Sequence, residues 1–480
     1  MAVAEPLVTV VVLNWNGARL LPDCLDALAA QDLPEGQMAV WVVDNSSTDE
    51  SLELLGTRYP WVRTIAHSSN DGFAGGNNVA LREVATPFVA LVNNDARPEP
   101  AWLRRLLEPF AEPGAERLAA VSAKIVFLPR FLPLELSTPG FVPGTLDTRE
   151  LGARVYRVEV DGADVTERVL WDRVAYGPEG EGEGRFRWTR PAGMLLVPTE
   201  GSGEPHEGPA GRQSGSMSAA GARSAPADQA TSKPIRLRLR VAAETTKPVE
   251  LTWAGGSGSG KAEPEPVDLE VEVPAGAPLV DVLNNAGSMV FRDGYGADRA
   301  YQELDRGQYQ LPEEVFAFCG GAVCFRAEAL RQAGVFDDDF FLYYEDTDLS
   351  WRLRSLGWRI RYQPAAVARH IHSASSVEWS PLFVFHTDRN RLLMLTKNAR
   401  AGLAAREVLR YPLTTASLAL REVARSRHTR RRPPARPTLL RLRVLRSYLR
   451  LLPAMLVRRR RIAARAAVDR KRLERWLVLR

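Results

Sequence analysis

LVTVVVLNWNGARLLPDCLDALAAQDLPEGQMAVWVVD, residues 7–44, holds one complete strand–helix–strand repeat. Its first eight residues, LVTVVVLN, are almost unbroken aliphatic and β-branched side chains, the signature of a strand covered on both faces. Leu20, Leu21, Leu25 and Leu28 then recur at helical spacing, and AVWVVD (39–44) is a second buried run. The pattern continues outward with a helix around 49–56, a strand at 61–66 (WVRTIA), a helix after Gly75 and a strand at 87–93 (PFVALVN). Strands that alternate with helices at this spacing predict an α/β fold, a mostly parallel sheet with helices on both faces. In such sheets ligands bind beyond the carboxyl ends of the strands. The site is therefore expected where these runs stop.

The chain has 480 residues, which exceeds one ordinary core and predicts two or three domains. With 45% hydrophobic and 25% charged residues it has the composition of a globular protein, not of a disordered or fibrous one. Three cysteines, none at zinc-site spacing, cannot build a disulfide framework, so a reducing compartment is expected. The first residues lack a basic stretch and a small-residue cleavage site, so no signal peptide is read there. No apolar run reaches the ~18 residues a bilayer crossing needs. The net charge of +5 is unevenly spread, since residues 401–480 carry 23 Lys and Arg against 4 Asp and Glu. An acidic body with a basic tail predicts an acidic partner for the tail. An anionic membrane surface suits amphipathic runs such as LLRLRVLRSYLRLLPAMLVRRRR; no nucleic-acid motif accompanies the charge, and no nucleic acid is expected.

The character changes near residue 128. Short period-two runs at 156–162, 186–190, 194–198, 234–242, 249–253 and 267–274 predict a β-sandwich-like insertion over 128–284. A Gly-, Ser-, Ala- and Pro-rich stretch, 199–233, reads as a disordered loop, and GGSGSGKAEPEP (255–266) as a second flexible patch. The α/β character returns over 285–400, with a strand at 320–325, a short helix at 327–333, a helix at 345–357 and a strand from 358. Residues 401–480 form the basic helical tail, broken at 430–437. Residues 1–127 and 285–400 are thus two halves of one α/β domain.

Four polar groups stand at or beside predicted strand ends: Asn14 to Gly17, Asp44 to Ser47, Asn70 to Asn78, and Asn93-Asn94-Asp95. Each one alone is also good turn chemistry. Four on one edge point to a ligand. The required glycine spacings of a dinucleotide fingerprint and of a P-loop are both absent. Asp95, at the end of a buried strand, could hold Mg²⁺ or Mn²⁺ through its carboxylate and leave metal positions for phosphate oxygens. Glu345, Asp346 and Asp348 fall in the first turn of a helix, where acids favour the macrodipole whatever else they do. The aromatics before them could desolvate a carboxylate and raise its pKa, as a general base requires. His370 and His372 follow a short strand and are open to either packing or ligation.

Taken in order, VVVLNWNG, VVDNSSTDES, NDGFAGGNN, LVNNDA, GGAVCFRAEAL, the acidic run through HIHSASS, and RNRLLMLTKN resemble the bacterial family 2 glycosyltransferases, nearest to their rhamnosyltransferase-like branch. The resemblance spans 8–127 and 286–398. It implies a GT-A fold and an inverting transfer from a nucleotide-sugar donor, dTDP-rhamnose or a UDP-sugar favoured, to a glycan or lipid-linked acceptor. It further implies donor contacts from Asn14, Asn16, Asp44, Asn45, Gly75, Gly76, Asn77 and Asn94. A divalent metal would sit on Asp95 with His370, and Asp346 would be the base with Glu345 beside it. Asn93 stands where the family pattern has the first acid of Asp-x-Asp. The implied setting is cell-envelope polysaccharide synthesis at the cytoplasmic face of the plasma membrane, with the protein peripheral there. The rival readings are a nucleotidyltransferase on a similar sheet and a non-catalytic carbohydrate-binding or scaffold protein.

Overall fold

A computed structural model describes residues 5–145, 147–171, 174–199, 230–371, 380–429 and 436–480. The chain forms two compact units, one of residues 1–126, 283–301 and 307–480, the other of 127–282 and 302–306.

The first unit opens with β1 (Val8–Asn14), α1 (Leu21–Ala29), β2 (Met38–Asp44), α2 (Ser51–Arg58), β3 (Arg63–Ala66), α3 (Gly72–Leu81) and β4 (Phe88–Asn93). β1 lies between β2 and β4, and β3 pairs with β2, all parallel. Val8, Val10, Val11 and Val12 are fully buried because helices cover both faces of the sheet. β5 (Ala96–Pro98), α4 (Trp102–Leu107) and β6 (Leu118–Leu128) complete this half.

Among the described residues the second unit is all β apart from short 3₁₀ turns. Its strands are β7 (Phe131–Ser137), β8 (Arg154–Val160), β9 (Ala163–Asp164), β10 (Ala175–Glu179), β11 (Phe186–Thr189), β12 (Ala192–Pro198), β13 (Ile235–Ala242), β14 (Lys247–Trp253), β15 (Gly256–Ala262) and β16 (Val267–Val273). One sheet runs β10-β11-β8-β13-β16 with β9 beside β8, and the other runs β12-β7-β14-β15. IRLRLRVA in β13 alternates strictly, with Ile235, Leu237, Leu239 and Val241 buried and the arginines out. That period-two pattern closes one core between the sheets. The expected flexible patch at 255–266 is instead mostly β15, paired with β14 from Lys247↔Ala262 to Trp253↔Gly256. Its glycines serve contact: a Cβ on Gly260 would lie 2.2 Å from Leu269 Cδ1, and one on Gly258 2.4 Å from Val271 Cγ1. Composition alone misread close packing as flexibility. Of the loop expected at 199–233, residues 200–229 lie outside the described residues.

The chain re-enters the first unit with β17 (Leu283–Asn285), which pairs antiparallel with β6. Then come β18 (Ser288–Val290), β19 (Gly296–Asp298), β20 (Glu313–Glu314), β21 (Ala322–Arg326), α5 (Ala327–Ala333), α6 (Glu345–Ser355), β22 (Arg359–Ile371), α7 (Pro381–Asn398), α8 (Ala401–Thr429), α9 (Arg436–Arg465) and α10 (Arg470–Leu473). β21 inserts antiparallel between β4 and β6, so the large sheet runs β20-β22-β6-β21-β4-β1-β2-β3. Its parallel half is the part read from 7–93. The antiparallel half depends on β21 meeting β4 and β6 from more than two hundred residues away. No helix among the described residues is long and apolar enough to cross a membrane.

Candidate active site

The carboxyl ends of β1, β2 and β4 meet in a buried polar relay. Asn94 Nδ2 donates to Asn14 Oδ1 at 2.9 Å, and Asn14 Nδ2 donates to Asp44 Oδ1 at 3.1 Å. Asn14 and Asp44 are at most 1% exposed, so the relay is paired within the protein, as buried polar groups must be. Gly17 crosses above it. A Cβ there would come within 2.3 Å of both Asn14 Oδ1 and Asn94 Nδ2, so this turn demands glycine.

Asn16 and Asn45 hold neighbouring loops. Asn16 is exposed with φ +50°, and its Oδ1 accepts from Thr48 N at 2.7 Å. Asn45 donates to Asn70 Oδ1 and Gly72 O at 2.9 and 3.1 Å and accepts from Asp71 N at 3.2 Å. The third helix begins at Gly72 and not after Gly75, so Gly75, Gly76 and Asn77 lie inside α3. Gly76 has a packing reason, since a Cβ would meet Leu13 Cδ1 at 2.5 Å. Asn77 is buried and donates to Phe73 O at 2.9 Å, one turn back.

Beyond β4 lies a second cluster. His370, inside the long β22, pairs in register with Ala96 of β5, which brings its ring beside Asp95. Nε2 stands 3.0 Å from Asp95 Oδ1 and 3.2 Å from Asn93 Nδ2. Asp95 is 4% exposed, and its Oδ1 faces the His370 ring. A buried carboxylate beside an imidazole nitrogen is a donor pair a divalent cation takes, with open positions for phosphate oxygens. These two residues fit the implied metal as part of its shell; among the described residues no group of three or more His, Cys, Asp or Glu could hold one unaided. Burial pushes the His370 pKa down, and the Asp95 carboxylate more than offsets it, leaving the value raised. His372 lies outside the described residues.

Glu345 and Asp346 open α6. Asp346 Oδ1 accepts from Thr347 N and Oγ1 at 2.5 and 3.1 Å. Burial, and next the charge of Asp298, push its pKa up to about 6. Glu345 is 6% exposed, its Oε2 has no partner, and burial with the Asp346 charge raises its pKa well above the carboxylate range. Asp348, in the same turn, is different: it pairs with Arg352, Lys397 and Asn398 at 2.7–2.8 Å, and those cations hold its pKa low against burial. It is a structural acid.

The two clusters converge through a Gly-Gly step. Asn93 N donates to Gly321 O at 3.0 Å, and the Gly320 N–H bonds Asp346. Asp346 and Asn93 therefore hold the same two glycines, and Asn93 in turn touches His370 of the Asp95 cluster.

Three contributors escaped sequence reading. Asp298, on β19, is gripped by Asn285 Nδ2 at 2.6 Å and by Ser288 Oγ at 3.4 Å, and its charge reaches both Asp346 and His370. Asn390 of α7 places Nδ2 at 2.7–2.8 Å from the carbonyls of Phe340, Leu342 and Tyr343. Arg389 binds the carbonyls of Asp339 and Phe340 at 2.9 and 3.0 Å. They clamp a loop in which Phe341, Tyr343 and Tyr344 all have φ between 63° and 71°, a costly backbone that aims Glu345 and Asp346. The only sequence signal was the Arg-Asn pair opening RNRLLMLTKN.

The sequence profile described as glycosyl transferase family 2 matches residues 9–126, and that of glycosyl transferase family group 2 matches 273–383. These are the stretches that carry the relay and the two acidic clusters. Both halves of the α/β unit thus match family 2 glycosyltransferase profiles. Similar family members include glycosyltransferase AglE of Haloferax volcanii, 25% identical over 23% of this chain and 38% of its own length. The pre-mycofactocin glycosyltransferase of Mycobacterium tuberculosis is 32% identical over 21% of this chain and 24% of its own. The N-acetylglucosaminyl-diphospho-decaprenol L-rhamnosyltransferase of that species is 40% identical over 13% and 20%. The chain thus spans well under half of each of these relatives. Among solved structures, Staphylococcus aureus TarS 1–349 with UDP-GlcNAc is 25% identical over 25% of this chain and 34% of its own, with a TM-score of 0.23.

Proposed function

We propose that this family 2 glycosyltransferase moves a sugar from a nucleoside-diphosphate donor to a hydroxyl of a glycan or lipid-linked acceptor, with inversion. One observation carries the reading: Asp346, its pKa raised to about 6, is bonded to the same Gly320–Gly321 step as Asn93, whose amide Nδ2 stands 3.2 Å from the His370 ring that meets Asp95. A base that is ionised at neutral pH yet desolvated is suited to take a hydroxyl proton. The acceptor oxygen attacks the anomeric carbon as its proton passes to Asp346. The bond from that carbon to the diphosphate breaks, and the electron pair leaves with the nucleoside diphosphate. No protein nucleophile is required. A divalent cation, Mg²⁺ or Mn²⁺, held by Asp95 and His370 would supply charge stabilisation for the departing phosphate. Burial and the Asp346 charge raise the Glu345 pKa, which disfavours a second negative charge beside Asp346.

Donor contacts are assigned to the strand-end side, Asn14, Asn16, Asp44, Asn45 and Asn94 with Gly75, Gly76 and Asn77 behind them. The rhamnosyltransferase among the relatives favours dTDP-rhamnose, with UDP-sugars next, and a lipid-diphosphate acceptor in cell-envelope polysaccharide synthesis. The basic tail is assigned to the anionic inner face of the plasma membrane, where such an acceptor resides. Thermal unfolding with dTDP, UDP, GDP and their sugars, with and without Mn²⁺, tests this directly. Ligand at ~100 times Kd adds about 2.7 kcal/mol of stability. A shift with one nucleotide that needs the metal, and that Asp95→Asn removes, is expected. No shift with any nucleotide overturns the transferase reading and returns the scaffold alternative.

A further inference from the structure

α8 and α9 form an antiparallel pair, tied by Thr438 Oγ1 to Glu422 Oε2 at 2.7 Å and by Arg441 Nε to Thr415 Oγ1 at 2.9 Å. Their inner faces are conventional, with Tyr411, Val444, Tyr448 and Met455 at most 2% exposed. Their outer faces are not. On α8, Leu409, Leu413, Leu420 and Val423 are 64%, 70%, 72% and 48% exposed. With Ala416 they are spaced four, three, four and three residues apart, which holds them on one side of the helix. On α9, Leu442, Leu449 and Leu456, seven residues apart, are 49%, 61% and 45% exposed, while Leu445 and Leu452 between them lean against the core. That row continues from Thr438, which touches α8, so it borders its neighbour. A face this apolar is unusual on a protein surface and marks a contact.

The charges around it select the occupant. Arg443, Arg446, Arg450, Arg460 and Arg461 are exposed on α9 and form no ion pair among the described residues, whereas Arg458 and Arg459 turn inward to Asp337, Asp339, Thr396 and Ala399. At the root of α8 an open concavity of about 440 Å³ is lined by Arg292, Arg400, Arg406, Lys471 and Arg475, with Glu474 as its one acid. A second copy of the chain would bring an equal cluster of arginines against these. Exposed leucines beside arginines, with no helix among the described residues able to span, is the layout of an interfacial anchor.

We infer that the α8–α9 pair docks in the plane of an anionic lipid bilayer, inserting its leucine rows into the outermost acyl region while the flanking arginines and the basic concavity take lipid phosphates. This deepens the membrane assignment of the tail made above, from attraction between charges to insertion of named side chains.

Co-sedimentation of the full chain with vesicles of phosphatidylcholine alone, and of phosphatidylcholine and phosphatidylglycerol in equal parts, decides it. The expected result is binding to the anionic vesicles that high salt only partly reverses. The exposed triple variant Leu413→Ser/Leu420→Ser/Leu449→Ser should keep the wild-type unfolding temperature and lose about tenfold or more in partitioning. Arg443→Gln/Arg446→Gln/Arg450→Gln should lose anionic selectivity. Wild-type binding by the leucine variant overturns insertion. Indifference to both vesicles, with a dimer in sedimentation velocity that the leucine variant dissolves, assigns the face to a second copy and overturns docking. Since this readout needs no donor, lack of binding by a chain that still shifts with a nucleotide sugar removes the docking face alone. Binding without any nucleotide shift keeps the face and removes the transferase reading.

Discussion

Asp346 meets two opposed demands. Burial raises its pKa to about 6, which makes it a competent base near neutral pH and an expensive carboxylate to keep ionised. Catalysis by the ionised form predicts a kcat/KM profile that falls tenfold per pH unit below about 6 and is flat above 7. Asp346→Asn should lower kcat by about 10²–10⁴ while leaving donor affinity nearly intact. Its effect on stability has the opposite sign. A carboxyl whose folded pKa lies above its unfolded value contributes stability that is full below about pH 4 and is lost as pH rises through about 6. At pH 7.5 the ionised group is therefore a net cost, and the asparagine, which can still accept from Thr347, should raise the unfolding temperature by roughly 2–4 °C. Calorimetry that finds no rise, or a fall, contradicts the burial account. Near-normal turnover would move the base to Glu345.

At the scale of elements, the first turn of α6 is aimed by a loop it does not contain. Phe341, Tyr343 and Tyr344 adopt left-handed backbone without being glycine, and a conformation of that cost survives only when neighbours over-determine it. Asn390, fully buried on α7, supplies that constraint through three carbonyls. Asn390→Ala removes this donor from the Leu342 and Tyr343 carbonyls, while that of Phe340 keeps Arg389, so it should cost about 2–4 kcal/mol and lower kcat more than it raises KM for the donor. Chemical denaturation paired with steady-state kinetics checks both; a stable variant with native kcat would show that the aromatic loop holds itself. The network around Asp348 belongs to the same scale. Lys397 and Arg352 are nearly buried, so the acid that pairs them anchors α6 to α7. Of three acids in one helical turn, burial raises the pKa of two, while Lys397 and Arg352 make the third a strut.

Over the whole molecule, the β unit closes a core made only of its own side chains, from Leu132 to Ala277. Residues 127–282 expressed alone should therefore fold and melt in one cooperative step, followed by circular dichroism. A gradual, non-sigmoidal melt would show that this core is insufficient by itself. The sandwich was legible because β13 and its neighbours alternate side chain by side chain. β15 was not, since a Gly-Ser run carries no alternation and its pairing is decided by Leu269 and Val271 pressing on glycine. The parallel half of the large sheet was legible for the same local reason, and each strand-end cluster could be named before its partners were known. The strand end at Asn93 and the helix start at Asp346 are adjacent only because β21 enters the sheet against β4.

The sequence by itself determined the order and type of most elements, the acids and amides at the strand ends, and the separation of an acidic body from a basic tail. Hydrophobic period and turn chemistry are local, and each is written within a few residues. Only the tertiary structure decided which acids burial perturbs, that Asp298 and Asn390 lie close to them, that three glycines sit inside a helix, and which tail arginines face solvent. Burial, charge proximity and backbone strain are properties of packing between distant segments, and no window along the chain contains them.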